Sequence, residues 1–170
     1  MAKRNKINAG GLQGSLFTPS SDWRAPSSFP DLSQAKVIGV DVETKDPNLK
    51  TQGPGTIRRD GFIAGVSIDT DIGFRGYFPV RHLGGGNLDP DIVFRWLKKT
   101  LSNPKQIKVG ANLLYDLDWL NTEEVEVAGP CYCVQVAEAL IDEEKKRFSL
   151  EVLSQEYLGC LLYTSDAADE

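Results

Sequence analysis

Three carboxylates stand out for the chemistry their types and spacing could do. In Val37-Ile38-Gly39-Val40-Asp41-Val42-Glu43-Thr44 an apolar run ends in Asp41 and Glu43, one residue apart. Strand side chains alternate between faces, so both acids point the same way. Two like charges side by side are unfavourable unless a cation lies between them. A hard divalent cation such as Mg²⁺ is held by one or two carboxylates together with substrate phosphate. Asp-x-Glu at a strand end is therefore a candidate metal seat; the competing reading is a solvated strand end. The third acid lies in Asn112-Leu113-Leu114-Tyr115-Asp116-Leu117-Asp118-Trp119-Leu120. At helical spacing Leu113, Leu117 and Leu120 form an apolar stripe, and Asn112, Asp116 and Trp119 fall together along one edge of it. Asp116 is thus turned partly inward, while Asp118 falls on the wet side.

Other chemistries are poorly provided for. The chain has 170 residues with a single histidine, His82, which excludes zinc sites built on several histidines. The three cysteines, Cys131, Cys133 and Cys160, form no paired framework, so a reducing cytoplasm is the default. No apolar run approaches the length of a membrane span, and the N-terminal residues lack the apolar core of a signal peptide. Gly84-Gly85-Gly86 lacks the following Lys-Ser/Thr of a phosphate loop. Lys50, Arg58 and Arg59 could contact phosphates, or simply be solvated.

The elements that must position the three acids can be read from periodicity. Residues 36–43, 62–69 and 73–80 read as strands, the last two joined by a tight turn. Residues 45–61 form a long loop around Gly-Pro-Gly. Asp89-Pro90 starts a helix carrying Val93, Trp96, Leu97 and Leu101 at helical spacing. Residues 106–110 form a short strand and 112–120 a helix. Residues 124–127 read as a last strand, and 134–141 and 149–157 as helices. This order predicts an α/β fold: an antiparallel meander, then parallel strands, flanked by helices. If the 106–110 strand lies parallel beside the first, Asp116 arrives next to Asp41 and Glu43. Ligand sites of α/β sheets gather at such carboxyl ends.

Residues 1–34, rich in Gly, Ser and Pro, read as a flexible N-terminal arm that becomes ordered around Ser21–Leu32. Residues 35–159 read as the domain. The last eleven residues, 160–170, share no pattern with what precedes them and resemble the translation of a sequencing adapter, so the native chain is expected to continue beyond Gly159. Without the tail's three acids, 21 acidic residues face 19 basic ones, a net charge of −2. Net charge therefore argues for no strong basic field toward nucleic acid.

Val37–Thr44, followed at a distance by Asn112–Asp116, resembles the first two motifs of the DEDD 3′–5′ exonucleases. The closer likeness is to the proofreading domain of family A DNA polymerases, especially those of bacteriophages. Glu43–Gly55, Tyr77–Asn87, Tyr115–Leu120 and Phe148–Gly159 carry it, over roughly residues 20–159. The resemblance implies a ribonuclease-H-like fold and two divalent ions, Mg²⁺ or Mn²⁺. It implies hydrolysis of the terminal phosphodiester at the 3′ end of single-stranded DNA, in the cytoplasm of a bacterial or phage-infected cell. A polymerase domain in the same parent chain is implied too. Asp41, Glu43 and Asp116 match the family's catalytic metal ligands. Thr44, Asn112 and Tyr115 match residues that accompany them near the substrate. The family's fourth carboxylate should follow Gly159 and has no counterpart here; Asp166 and Asp169 are not assigned to it. Relatives usually carry Asp where Cys133 stands. The chain alone is accordingly expected to be weakly active or inactive. The alternative is a catalytically inactive nuclease-fold domain that binds nucleic acid or a partner, and an RNA-trimming relative uses similar ligands.

Overall fold

The computed structural model describes residues 23–160. In chain order it contains β1 (Val37–Lys45), α1 (Leu49–Gln52), β2 (Phe62–Thr70), β3 (Arg75–Pro79), α2 (Pro90–Leu101), β4 (Ile107–Gly110), α3 (Leu113–Thr122), β5 (Cys131–Cys133), α4 (Val134–Ile141) and α5 (Leu150–Leu158). The strands form one sheet in the order β3-β2-β1-β4-β5. β1 pairs antiparallel with β2, and β2 with β3. β1 pairs parallel with β4, and β4 with β5. This is the mixed meander-plus-parallel sheet that the periodicity predicts.

One face of the sheet is buried and the other is not. Ile38, Val40 and Val42 of β1 and Val66 and Ile68 of β2 are buried with Val93, Leu97 and Leu101 of α2 and Leu113, Trp119 and Leu120 of α3. Alternation then sends Gly39, Asp41 and Glu43 to the opposite face. α2 forms where Asp89 caps it: the carboxylate accepts the N–H groups of Asp91 at 2.9 Å and Ile92 at 3.4 Å, and Pro90 opens the helix.

Four features correct or extend the sequence reading. Residues 124–127 are not a strand. Glu124 takes a left-handed φ of 58°, and the N–H of Val125 turns back to Leu120 O at 3.0 Å, so the chain folds under the helix end. The fifth strand lies later, where Cys131–Cys133 pairs with Lys108–Gly110. Second, the 45–61 loop contains the single turn α1 and is closed on itself. Arg58 donates to Asp60 Oδ2 at 2.9 Å, to Gln52 O at 2.8 Å and to Gly53 O at 2.9 Å. Arg58 is therefore a loop clasp and not a free phosphate contact. Third, the described end of the expected arm is anchored. Phe29 stacks on Phe78 with centroids 5.7 Å apart, Trp96 Nε1 donates to Pro30 O at 2.9 Å, and Leu32 and Ala35 are buried. Residues 1–22 and 161–170, with the rest of the arm and most of the adapter-like tail, lie outside the described residues. Fourth, Lys108 is fully buried, which its position in a short strand did not announce. Its ammonium donates to Asn103 O at 2.7 Å, Gln106 O at 3.2 Å and Ala128 O at 2.5 Å, tying the α2–β4 turn to the α3–β5 turn.

Candidate active site

β4 is shorter than β1, and that difference makes the site. Parallel pairing runs only from Val37↔Ile107 to Gly39↔Val109, after which β1 continues alone on that edge. The backbone N–H of Val42 would be an orphan there, and an unpaired buried N–H is costly. α3 begins where β4 stops, and Asp116 in its first turn satisfies that N–H, with Oδ1 accepting from Val42 at 3.1 Å. Gly110 permits the handover: a Cβ there would stand 2.8 Å from Val40 O and 2.9 Å from Leu113 Cδ1. Val42 lies between Asp41 and Glu43, so one hydrogen bond brings the helix acid to the strand pair. The antiparallel register of β1 shifts between Glu43 and Thr44, and such an irregularity re-aims side chains at a strand end.

The electrostatics follow from this placement. Asp116 is 3% exposed. Burial pushes its carboxyl up to about 7, against the Val42 N–H, and the charges of Asp41 and Glu43 add to the rise. Burial, then the charge of Glu43, raises Asp41 as well. Asp118 is exposed, as its place on the helix predicts. Thr44 Oγ1 and Tyr115 Oη are 2.8 Å apart, and Tyr115 Oη donates to Asp46 Oδ2 at 3.3 Å. Thr44 and Tyr115 are thus bonded to one another, pinning the end of β1 to α3. Asn112 caps α3 in a left-handed conformation with φ 53°, exposed, and its side chain makes no capping bond.

The donor set suits a hard divalent cation: all three groups are carboxylates, two of them strained toward protonation by burial and by one another. As the side chains stand, among the described residues no group of three or more His, Cys, Asp or Glu is arranged to hold an ion. Asp116 has Oδ1 committed to Val42.

Sequence reasoning passed over one neighbour, Tyr77, and marked a second, Cys133, only as a departure from the family pattern. Tyr77 of β3 stands on the acid face, and burial, then the charges of Glu43 and Asp41, push its phenol up to about 12. Its hydroxyl is hydrogen-bonded to His82 Nε2. The signal available was period-two alternation carried across three strands. Cys133 sits where β5 becomes α4. Burial pushes its thiol up, but the N–H groups of Val136, Leu113, Gln135 and Asn112 outweigh burial and hold it below the usual range. The first turns of α3 and α4 therefore converge on one sulfur.

Comparison with known proteins agrees with this architecture. The DNA-directed DNA polymerase of Pseudomonas phage M6 is 40% identical over 152 residues, covering 86% of this chain and 23% of the polymerase. DNA polymerase I of Pseudomonas aeruginosa is 29% identical over 133 residues, covering 75% of this chain and 14% of the relative. The chain thus spans less than a quarter of the length of either relative. Among solved structures, NrnC of Brucella melitensis, described with bound Mg²⁺, superposes with a TM-score of 0.58 at 22% identity, covering 81% of this chain and 60% of that one. RNase D of Escherichia coli gives 0.53 at 17% identity, covering 78% and 30%. These share the ribonuclease-H-like fold. A model of the 3′-5′ exonuclease of A-type DNA polymerases matches residues 25–169, from the anchored strap through β1, α3 and α5, and it is to that exonuclease family that this chain belongs.

Proposed function

We propose that residues 35–159 form a proofreading unit that removes the 3′-terminal nucleotide of single-stranded DNA, with Asp41, Glu43 and Asp116 holding two divalent ions. The observation that carries this reading is the bond from Val42 N–H to Asp116, which sets a buried acid beside an acid pair on an open strand end. Bound metal would supply a nucleophilic hydroxide from water and neutralise the leaving oxygen. The chain's own groups do the rest. Asp41 and Glu43 present carboxylates on the exposed face. Asp116 is fixed by the backbone it caps. Thr44 and Tyr115, bonded together, give the end of β1 a rigid edge against which a terminal nucleotide is oriented. Asn112 offers an exposed amide at the mouth of α3. The partner is a DNA 3′ end delivered by the polymerase domain of a longer parent chain.

The test uses a 5′-labelled single-stranded oligonucleotide, excess chain, and Mn²⁺ or EDTA. The expected result is a slow ladder from the 3′ end, abolished by EDTA and by Asp41→Asn. Retention in a binding assay with no ladder, unchanged by Asp41→Asn, would instead support a binding domain without catalysis. That second reading draws on Cys133 and on the open arrangement of the three acids.

A further inference from the structure

The face that carries Asp41 and Glu43 continues across the sheet to β3. Asp41 pairs with Ser67, and Ser67 with Tyr77. Glu43 pairs with Gly65. The Tyr77 ring leans over Gly65: its Oη, Cζ and Cε2 occupy the space that a side chain at 65 would need. Directly opposite residues on one sheet face bring their Cβ atoms to about 5 Å. A hydroxyl lying in the side-chain space of residue 65 is therefore the immediate neighbour of the Glu43 side chain. Any side chain at 65 would displace it, which gives the glycine there a reason.

The phenol is not free to wander. It is bonded to His82 Nε2, with the two rings edge-on at 5.7 Å. His82 is itself clamped, since its N–H donates to Asn87 Oδ1 at 2.7 Å and Asn87 Nδ2 donates to His82 O at 2.8 Å. The clamp closes the Gly84-Gly85-Gly86 turn, in which Gly85 and Gly86 take φ of 83° and 72°. The loop thus serves to aim one imidazole at one phenol.

We propose that Tyr77, locked by His82, is a positioning residue for Glu43, holding that carboxylate in the orientation that accepts a divalent cation. In that role His82 donates its Nε2–H to the phenol oxygen and leaves the phenol proton for Glu43; outer partners of metal-binding carboxylates typically change metal affinity by about 10–100-fold when removed. The proposal rests on the metal-holding role given above to Asp41 and Glu43.

The experiment measures Mn²⁺ affinity of the 170-residue chain without DNA, alongside its melting temperature. Tyr77→Phe keeps the ring and removes the hydroxyl, and is expected to weaken Mn²⁺ binding about tenfold. His82→Ala, at an exposed position, is expected to weaken it comparably. The double variant should be no weaker than Tyr77→Phe, because the two groups act in series. His82→Gln, which retains a hydrogen-bonding group, should recover part of the loss, which a purely structural role would not predict. Wild-type Mn²⁺ affinity in Tyr77→Phe and His82→Ala, or fully additive losses in the double variant, would overturn the proposal. Asp41→Ala separates the two levels. If it binds Mn²⁺ like wild type, the metal site itself is wrong; if it loses Mn²⁺ while Tyr77→Phe does not, only the positioning role fails.

Discussion

Asp116 has two obligations that conflict. It must accept the Val42 N–H, and it must do so while buried beside two other acids. A carboxyl that titrates near 7 when folded and near 4 when unfolded is held uncharged by the fold. The stability this gives is complete below the unfolded pKa and is lost as pH rises through the folded one. Asp41, shifted the same way, adds to the trend. The metal-free chain should therefore lose on the order of 4 kcal/mol between pH 4 and 8, at about 1.4 kcal/mol per pKa unit. Asp116→Asn keeps an oxygen for Val42 and removes the larger titration, so its melting temperature should fall much less steeply over that range than the wild type's. A divalent cation that does not support hydrolysis, such as Ca²⁺, should raise the melting temperature of the wild type at pH 8 far more than at pH 5. Thermal melts across pH in EDTA and in Ca²⁺ decide it, and an Asn variant with the wild-type slope would refute the assignment.

At the level of elements, the joint between α3 and α4 sets a thiol where several backbone donors meet. The N–H groups that surround the Cys133 sulfur belong to the opening turns of both helices, yet the thiol makes no capping hydrogen bond in α4. A carboxylate reaches such donors well, a thiol poorly, and a good N-cap contributes about 1 kcal/mol. Cys133→Asp is expected to raise stability by roughly that amount, read from the urea midpoint at unchanged slope. A destabilised Asp variant would show that no N–H is free there. The joint also marks how far the sequence could be read. α2 was legible because Asp89-Pro90 is a local signal, and β1 and α3 because their periods are clean. The bond from Val42 to Asp116 spans 74 positions, so periodicity could place the acid on the inner edge but not name its partner. β5 was missed because three residues carry no period, and it exists only through its register with β4. Residues 124–127 alternate convincingly, but a left-handed Glu124 and the bond back to Leu120 override the pattern.

Across the whole molecule, the two faces of the sheet are treated unequally. α2 and α3 complete the core on one side. On the other, Gly39, Asp41, Ser67, Tyr77 and Val109 line an open cavity of about 590 Å³ that Val134 and Leu150 border. Parallel strands are ordinarily covered on both faces. Here the α4–α5 pair covers little, and Leu140, Ile141 and Leu158 on it are 84%, 74% and 78% exposed. Its internal order comes from a polar latch instead: Lys145 bridges Glu138 and Glu156, each at 2.5 Å, and Tyr157 Oη donates to Glu138 Oε2 at 2.8 Å. An element held by ion pairs and few apolar contacts opens without the rest of the domain. Native-state hydrogen exchange should therefore find the amides of α4 and α5 exchanging at least about 100-fold faster than those of β1 and β2. Lys145→Met should speed exchange in α5 further while leaving β1 unchanged, because β1 is protected by the α2–α3 core and not by the latch. Equal protection in α5 and β1 would mean that the hairpin unfolds only with the sheet, and the latch would then be a consequence of the packing and not its cause.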